Sequence, residues 1–238
     1  MTSAAAARPS LRELAERARP VALAREQVLP LHPALEPLVP GSGLLRGATV
    51  RVDGPASTSM ALAVAAGPSG AGSWVAAVGV PTLGLVATAE AGISLERLVV
   101  VARPEPRTWP TVVAALVEAF DVVLVHPPRV RAAEARKLGA RARERGAVMV
   151  QIGAGPVAGK SALEADLRLR VVEVDWDGLG WGHGHLRARK VTVESGGRGP
   201  ASRPRRATLW LPGPEGEIAL DGAVPPGETK PRHLRSVG

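Results

Sequence analysis

The stretch Gly43-Leu44-Leu45-Arg46-Gly47-Ala48-Thr49-Val50-Arg51-Val52-Asp53-Gly54-Pro55-Ala56-Ser57-Thr58-Ser59-Met60-Ala61-Leu62-Ala63 decides the fold. Ala48 to Asp53 has the β-branched content of a strand, and Gly54-Pro55 marks a turn. Met60 to Ala66 is a helix-favouring apolar run. A strand that turns at once into a helix presents unpaired backbone N–H groups at the helix start, where an anion is readily held.

The same alternation continues downstream. Trp74 to Val80, Leu98 to Val101, Asp121 to Val125 and Ala147 to Ile152 are strand-like Val and Leu runs, as buried parallel strands are. Helical patterning covers Thr111 to Ala119. Arg129 to Arg145 reads as a basic helix with seven Arg or Lys. Alternating strands and helices require a mostly parallel sheet with helices on both faces, so the class is α/β. After residue 166 the helices stop. Leu167 to Val174, Leu186 to Val193 and Ala207 to Leu211 read as antiparallel edge strands, with Ser195 to Arg206 as a long hairpin loop.

Upstream, Ser10 to Glu13 has capping-box spacing, and Leu11, Leu14, Ala15 and Ala18 follow at helical intervals. Pro20 limits this amphipathic helix. Val28 to Pro40 mixes apolar residues with prolines and reads as a connector laying Leu29, Leu31, Leu35 and Leu38 on the core. Gly213 to Gly238 reads as a flexible tail, rich in Gly, Pro and charge. The division is therefore 1–40 (helix and connector), 41–212 (core) and 213–238 (tail).

The chain has 238 residues, enough for one sizeable α/β domain. No apolar run is long enough to span a membrane and no signal pattern is present, so a cytoplasmic protein is expected, nucleoid-associated when in complex. There is no cysteine, which excludes disulfides and thiolate metal sites. The net charge is +8, and 26 of the 30 basic residues are Arg. Two readings of that charge stand side by side: the composition of a GC-rich genome, and a surface that binds nucleic acid.

The order of these segments resembles the RecA family. There, a GL-x-x-G turn leads through a strand into a glycine-rich phosphate loop, and Gly92 to Val101, Phe120 to Val125 and Val148-Met-Val-Gln151 fall in the matching later positions. The resemblance covers roughly residues 10 to 211 and implies a RecA-like P-loop NTPase fold. In a working loop the helix start holds phosphate, a Lys reaches the outer phosphates and a hydroxyl binds Mg²⁺. After Gly54 and Pro55, those family positions fall on Ser59, Met60 and Ala61, so the glycine, cation and hydroxyl are all replaced. No charged residue occurs from Gly54 through Ala89, so the carboxylate that activates water is also missing. His126 stands where the family has the acidic residue that holds its metal.

A second phosphate-loop pattern occurs at Ala154 to Ser161, with Gly159, Lys160 and Ser161 in the key positions. Pro156 removes an amide that such a cradle would use. In the RecA-like register, this segment is instead a shortened version of the family's second DNA-contacting loop. His183 and His185 are close enough to share an ion but lack a third ligand. Trp176 and Trp181 lie in a turn-prone stretch and are candidate anchors for a partner protein, alongside the face of Leu11, Leu14, Ala15 and Ala18.

A RecA-like chain without ATP residues most resembles the accessory proteins of the actinobacterial mutagenic translesion-synthesis cassette, the ImuA-prime, ImuA and SulA-like groups. The resemblance implies a non-catalytic adaptor that needs no cofactor. Its implied partners are an ImuB-like inactive Y-family polymerase homologue and an error-prone polymerase, with self-association and weak or indirect DNA contact. Two other readings remain: a RecA-type DNA-binding ATPase using ATP and Mg²⁺, and a cell-division inhibitor of the SulA type.

Overall fold

A computed structural model describes residues 28–41, 43–128, 130–153, 163–179 and 184–222. The described strands are β1 (Val28–Pro30), β2 (Gly43–Leu45), β3 (Thr49–Asp53), β4 (Val75–Val78), β5 (Leu98–Val101), β6 (Val122–Val125), β7 (Val148–Ile152), β8 (Leu167–Leu179), β9 (Gly184–Gly197), β10 (Arg205–Trp210) and β11 (Ala219–Leu220). The described α-helices are α1 (Ser57–Gly70), α2 (Leu85–Glu90), α3 (Trp109–Ala119) and α4 (Ala132–Arg145).

Nine strands form one sheet in the order β11-β10-β9-β8-β3-β7-β6-β4-β5. From β5 to β8 every neighbouring pair is parallel. The chain starts in the middle at β3, moves outward to β4 and β5, and returns through β6 and β7. It then emerges on the other side of β3 as β8. The protein is thus an α/β fold with a mostly parallel sheet, completed by antiparallel strands at one side.

Two apolar layers sandwich this sheet. Val50, Val52, Val122, Leu124, Val148 and Val150 face α1 and the connector, whereas Val123, Val125 and Met149 face α3 and α4. Alternate residues of each strand thus serve opposite cores, which is why the strands read as unbroken Val and Leu runs. Helix α1 is buried along Met60 to Ala66 and lacks an amphipathic pattern because sheet and connector cover it on opposite sides. The connector crosses it where Gly67 leaves room: a Cβ there would come within 2.5 Å of the His32 backbone nitrogen.

The connector holds a short strand, β1, which pairs antiparallel with β2 outside the large sheet. Three sequence expectations change. Of the three strands after residue 166, the first, β8, runs parallel to β3, and antiparallel pairing begins only at β9. Ser195 to Arg206 is not a long loop: β9 runs on to Gly197, a 3-10 turn spans Gly199–Ser202, and β10 starts at Arg205. The segment from Gly213 does not begin as a tail, since Ile218 is buried and β11 pairs with β10. Glycines and prolines suggested loops at these places, but backbone pairing at the sheet edge prevails over local propensity. Residues 223–238 lie outside the described residues.

Candidate functional site: the loop after β3

The turn after β3 is held tightly. Gly54 has φ +97 and a Cβ on it would meet the Val171 carbonyl oxygen at 2.2 Å, so the turn lies backbone against backbone on β8. Ala56 also takes a left-handed conformation, φ 59, and α1 begins at the next residue. Ser57 Oγ donates to the Gly153 carbonyl at 3.3 Å, tying the helix start to the end of β7. The turn therefore sits at the carboxyl ends of β7 and β3 and beside the middle of β8, in the sheet centre, where α/β folds commonly place ligands.

The three positions expected to serve phosphate face elsewhere or are already engaged. Met60 and Ala61 are fully buried in the core on the α1 side. Ser59 is met by a cation from outside the loop: Arg189 Nη2 donates to Ser59 Oγ at 2.7 Å. The same guanidinium donates through Nε to the Leu211 carbonyl at 2.6 Å and lies 4.8 Å from the centroid of the Trp176 ring. It is half-buried, and desolvation lowers its pKa from the ordinary arginine value.

Strand geometry aims Arg189 there. Leu169 and Val171 face the α1 core, but a bulge between Val171 and Glu173 shifts the parity of β8. Val174 and Trp176 then face the same way, opposite Val191 and Arg189 of β9. The Arg189 backbone is fixed on its other side, where it exchanges hydrogen bonds with Leu211 and Pro212. Sequence reading did not single out Arg189. Its signal is an arginine on the inward parity of a strand whose next inward residues are Val191 and Val193.

His126 follows β6 at the same edge of the sheet. Its backbone N–H donates to Val78 O, and Nδ1 lies 3.1 Å from Ile152 O. A carbonyl only accepts, so Nδ1 carries the hydrogen, and the ring ties β6 to β7. Asp53 is 2.7 Å from Arg51 Nε, with both side chains largely buried. Among the described residues, no three His, Cys, Asp or Glu side chains come together as a metal site. Cation, hydroxyl and carboxylate are all missing from the positions where a magnesium nucleotide needs them, so these residues do not fit that cofactor.

Trp176 remains 40% exposed while it stacks on Arg189. Leu11, Leu14, Ala15, Ala18, Gly159, Lys160, Ser161 and Trp181 lie outside the described residues. So does His183, and nothing is described of the His185 side chain. No helix among the described residues is long and apolar enough to cross a membrane.

Fold and site together define a three-layer α/β protein with an uncharged strand-turn-helix loop that receives a cation from its antiparallel extension. The MT3502 N-terminal domain family matches residues 37–158, about half of the chain, and the protein belongs to that family. The matched region contains the loop, His126 and β7, whereas Arg189 and Trp176 lie beyond it. A relative named uncharacterized protein Rv3395c, from Mycobacterium tuberculosis (strain ATCC 25618 / H37Rv), is 38% identical over 117 residues. That stretch is 48% of this chain and 52% of the relative, so the chain spans about half the length of this curated relative.

Proposed function

We propose that this protein is a non-catalytic, RecA-like adaptor of DNA-damage-induced translesion synthesis. It would hold an inactive Y-family polymerase homologue and an error-prone polymerase together by binding, with no nucleotide turnover. The observation that carries the non-catalytic part is Arg189: the protein's own cation lies on the first turn of α1, while Met60 and Ala61 are packed into the core. The RecA-like part rests on the sequence resemblance, and the parallel sheet with its central strand-turn-helix is the architecture that the resemblance implies. Similarity to a mycobacterial protein agrees with the actinobacterial setting.

The adaptor reading is tested by affinity capture of the full chain from cells treated with a DNA-damaging agent. Recovery of the two polymerase partners is the expected result. Recovery of a tubulin-like division protein in their place would overturn it in favour of division inhibition. Removing residues 1 to 21 is expected to abolish partner capture or self-association, because that segment carries the apolar face of Leu11, Leu14, Ala15 and Ala18.

A further inference from the structure

Several exposed cations outside the loop share one side of the sheet. On α4, Ala135, Leu138 and Ala142 face the core, whereas Arg136, Lys137, Arg143 and Arg145 are exposed. On β8, Leu167, Leu169 and Val171 belong to the core on the α1 side, so Arg168 and Arg170 between them project to the opposite side, that of α4. On β10, Arg206 stands across from Glu194 of β9, and Glu194 is also the register partner of Arg170.

Two carboxylates join the helix to the strands. Arg143 lies 3.9 Å from Asp166, and Arg198 lies 2.7 Å from Glu164. Arg198 first, then Arg143 and Arg136, hold the Glu164 carboxyl below its ordinary range, so cations from α4 and from the turn before β10 converge on one exposed acid. Arg206 reaches Glu173 and Glu194 in the same manner. Such exposed pairs contribute little and exchange readily for another anion. Among the described residues, Arg136, Lys137, Arg145, Arg168 and Arg170 are in no ion pair.

We infer that this face, from α4 across β8 to Arg206, binds the phosphate backbone of double-stranded nucleic acid without regard to sequence. Charge complementarity names the occupant, and the rest of the surface narrows it. None of the exposed large apolar residues lies on α4, on β10 or on β8 before Trp176, so the face lacks the anchors of a protein interface and the apolar wedge of a membrane-binding one. Trp210, on the same side of β10 as Arg206, is only partly exposed and lies under Lys190 Nζ at 4.6 Å, so it is not a free ring on which unpaired bases stack, which favours duplex over single strand. The inference does not depend on the adaptor reading.

Fluorescence anisotropy of the full chain with a mixed-sequence duplex tests it, comparing wild type with Arg168→Glu/Arg170→Glu and with Arg136→Glu/Lys137→Glu. Neutralising roughly four phosphates predicts about a 100-fold loss of affinity between 50 and 200 mM salt. Each double reversal is expected to weaken binding by about 10-fold or more, while Arg168→Lys/Arg170→Lys binds like wild type, because a point charge suffices. Unchanged thermal unfolding shows that each variant is folded. Binding that survives both reversals overturns the inference. So does stronger binding to polyglutamate or to anionic phospholipid vesicles than to the duplex. Partner capture by the reversed variants should be intact, so failure of this inference and failure of the adaptor reading give different results.

Discussion

Arg189 is held by two side-chain hydrogen bonds and an aromatic face, an unusual set of contacts for a residue two positions from the buried Val191. Truncating it to Ala removes a charge-assisted bond to Ser59 and the stacking on Trp176, and should destabilise the protein by about 2 kcal/mol. Ser59→Ala should cost less, about 1 kcal/mol, because the arginine keeps Leu211 and Trp176. Denaturant unfolding of both single variants and the double variant should give a coupling energy near 1 kcal/mol. Additivity within error would show that the 2.7 Å contact is energetically idle.

His32 is the residue that should give folding a pH dependence. Its Nδ1 accepts the Ala34 N–H at 3.3 Å at the start of the 3-10 turn, which requires an unprotonated nitrogen, and burial lowers its pKa from 6.5. With the folded value depressed, the unfolded chain binds the proton more readily. This residue's contribution is therefore fully present above 6.5 and is lost as pH falls through the lower, folded value. Comparing unfolding of wild type and His32→Asn across this window should show the slope in wild type and a smaller one in the variant, since Asn still caps the turn.

Among the elements, those built from local signals were legible and those built from distant pairing were not. The runs at 122–125 and 148–152 show as strands because parallel strands buried on both faces need apolar residues throughout, and the partly buried edge run at 98–101 has the same Val and Leu character. The start of α1 was readable as a helix beginning after Gly54-Pro55. What it touches was not, because Arg189 is brought to Ser59 by the register of β8 and β9 and by a bulge with no local sequence mark. For the same reason β8 was read as antiparallel: its direction depends on pairing with β3, more than 100 residues earlier. The site was therefore half legible, with its missing groups plain in the sequence and the incoming cation hidden.

The turn itself makes a prediction at this scale. Gly54→Ala would force a side chain into a positive φ and against the Val171 backbone, so it should destabilise by about 3 kcal/mol or more and loosen β3 from β8. Amide hydrogen exchange would show it as faster exchange confined to β8 and the start of α1. Uniform destabilisation with no local change would mean that the turn does not anchor β8.

At the scale of the molecule, a sheet of nine strands carries two separable surfaces. One is the loop at the carboxyl ends of the central strands, closed by Arg189. The other is the basic side formed by α4, β8 and β10. The family match covers the sheet through β7, so β8, β9 and β10 supply both Arg189 and much of the basic side from beyond the matched region.

Thermal unfolding of the full chain with and without Mg²⁺-ATP tests the closed loop most directly. A nucleotide present at about 100 times its Kd would stabilise the folded state by about 2.7 kcal/mol, a shift of several degrees. The account predicts no shift at about 2 mM nucleotide. A saturable, Mg²⁺-dependent rise in the unfolding temperature, lost in Arg189→Ala or Lys160→Ala, would contradict it.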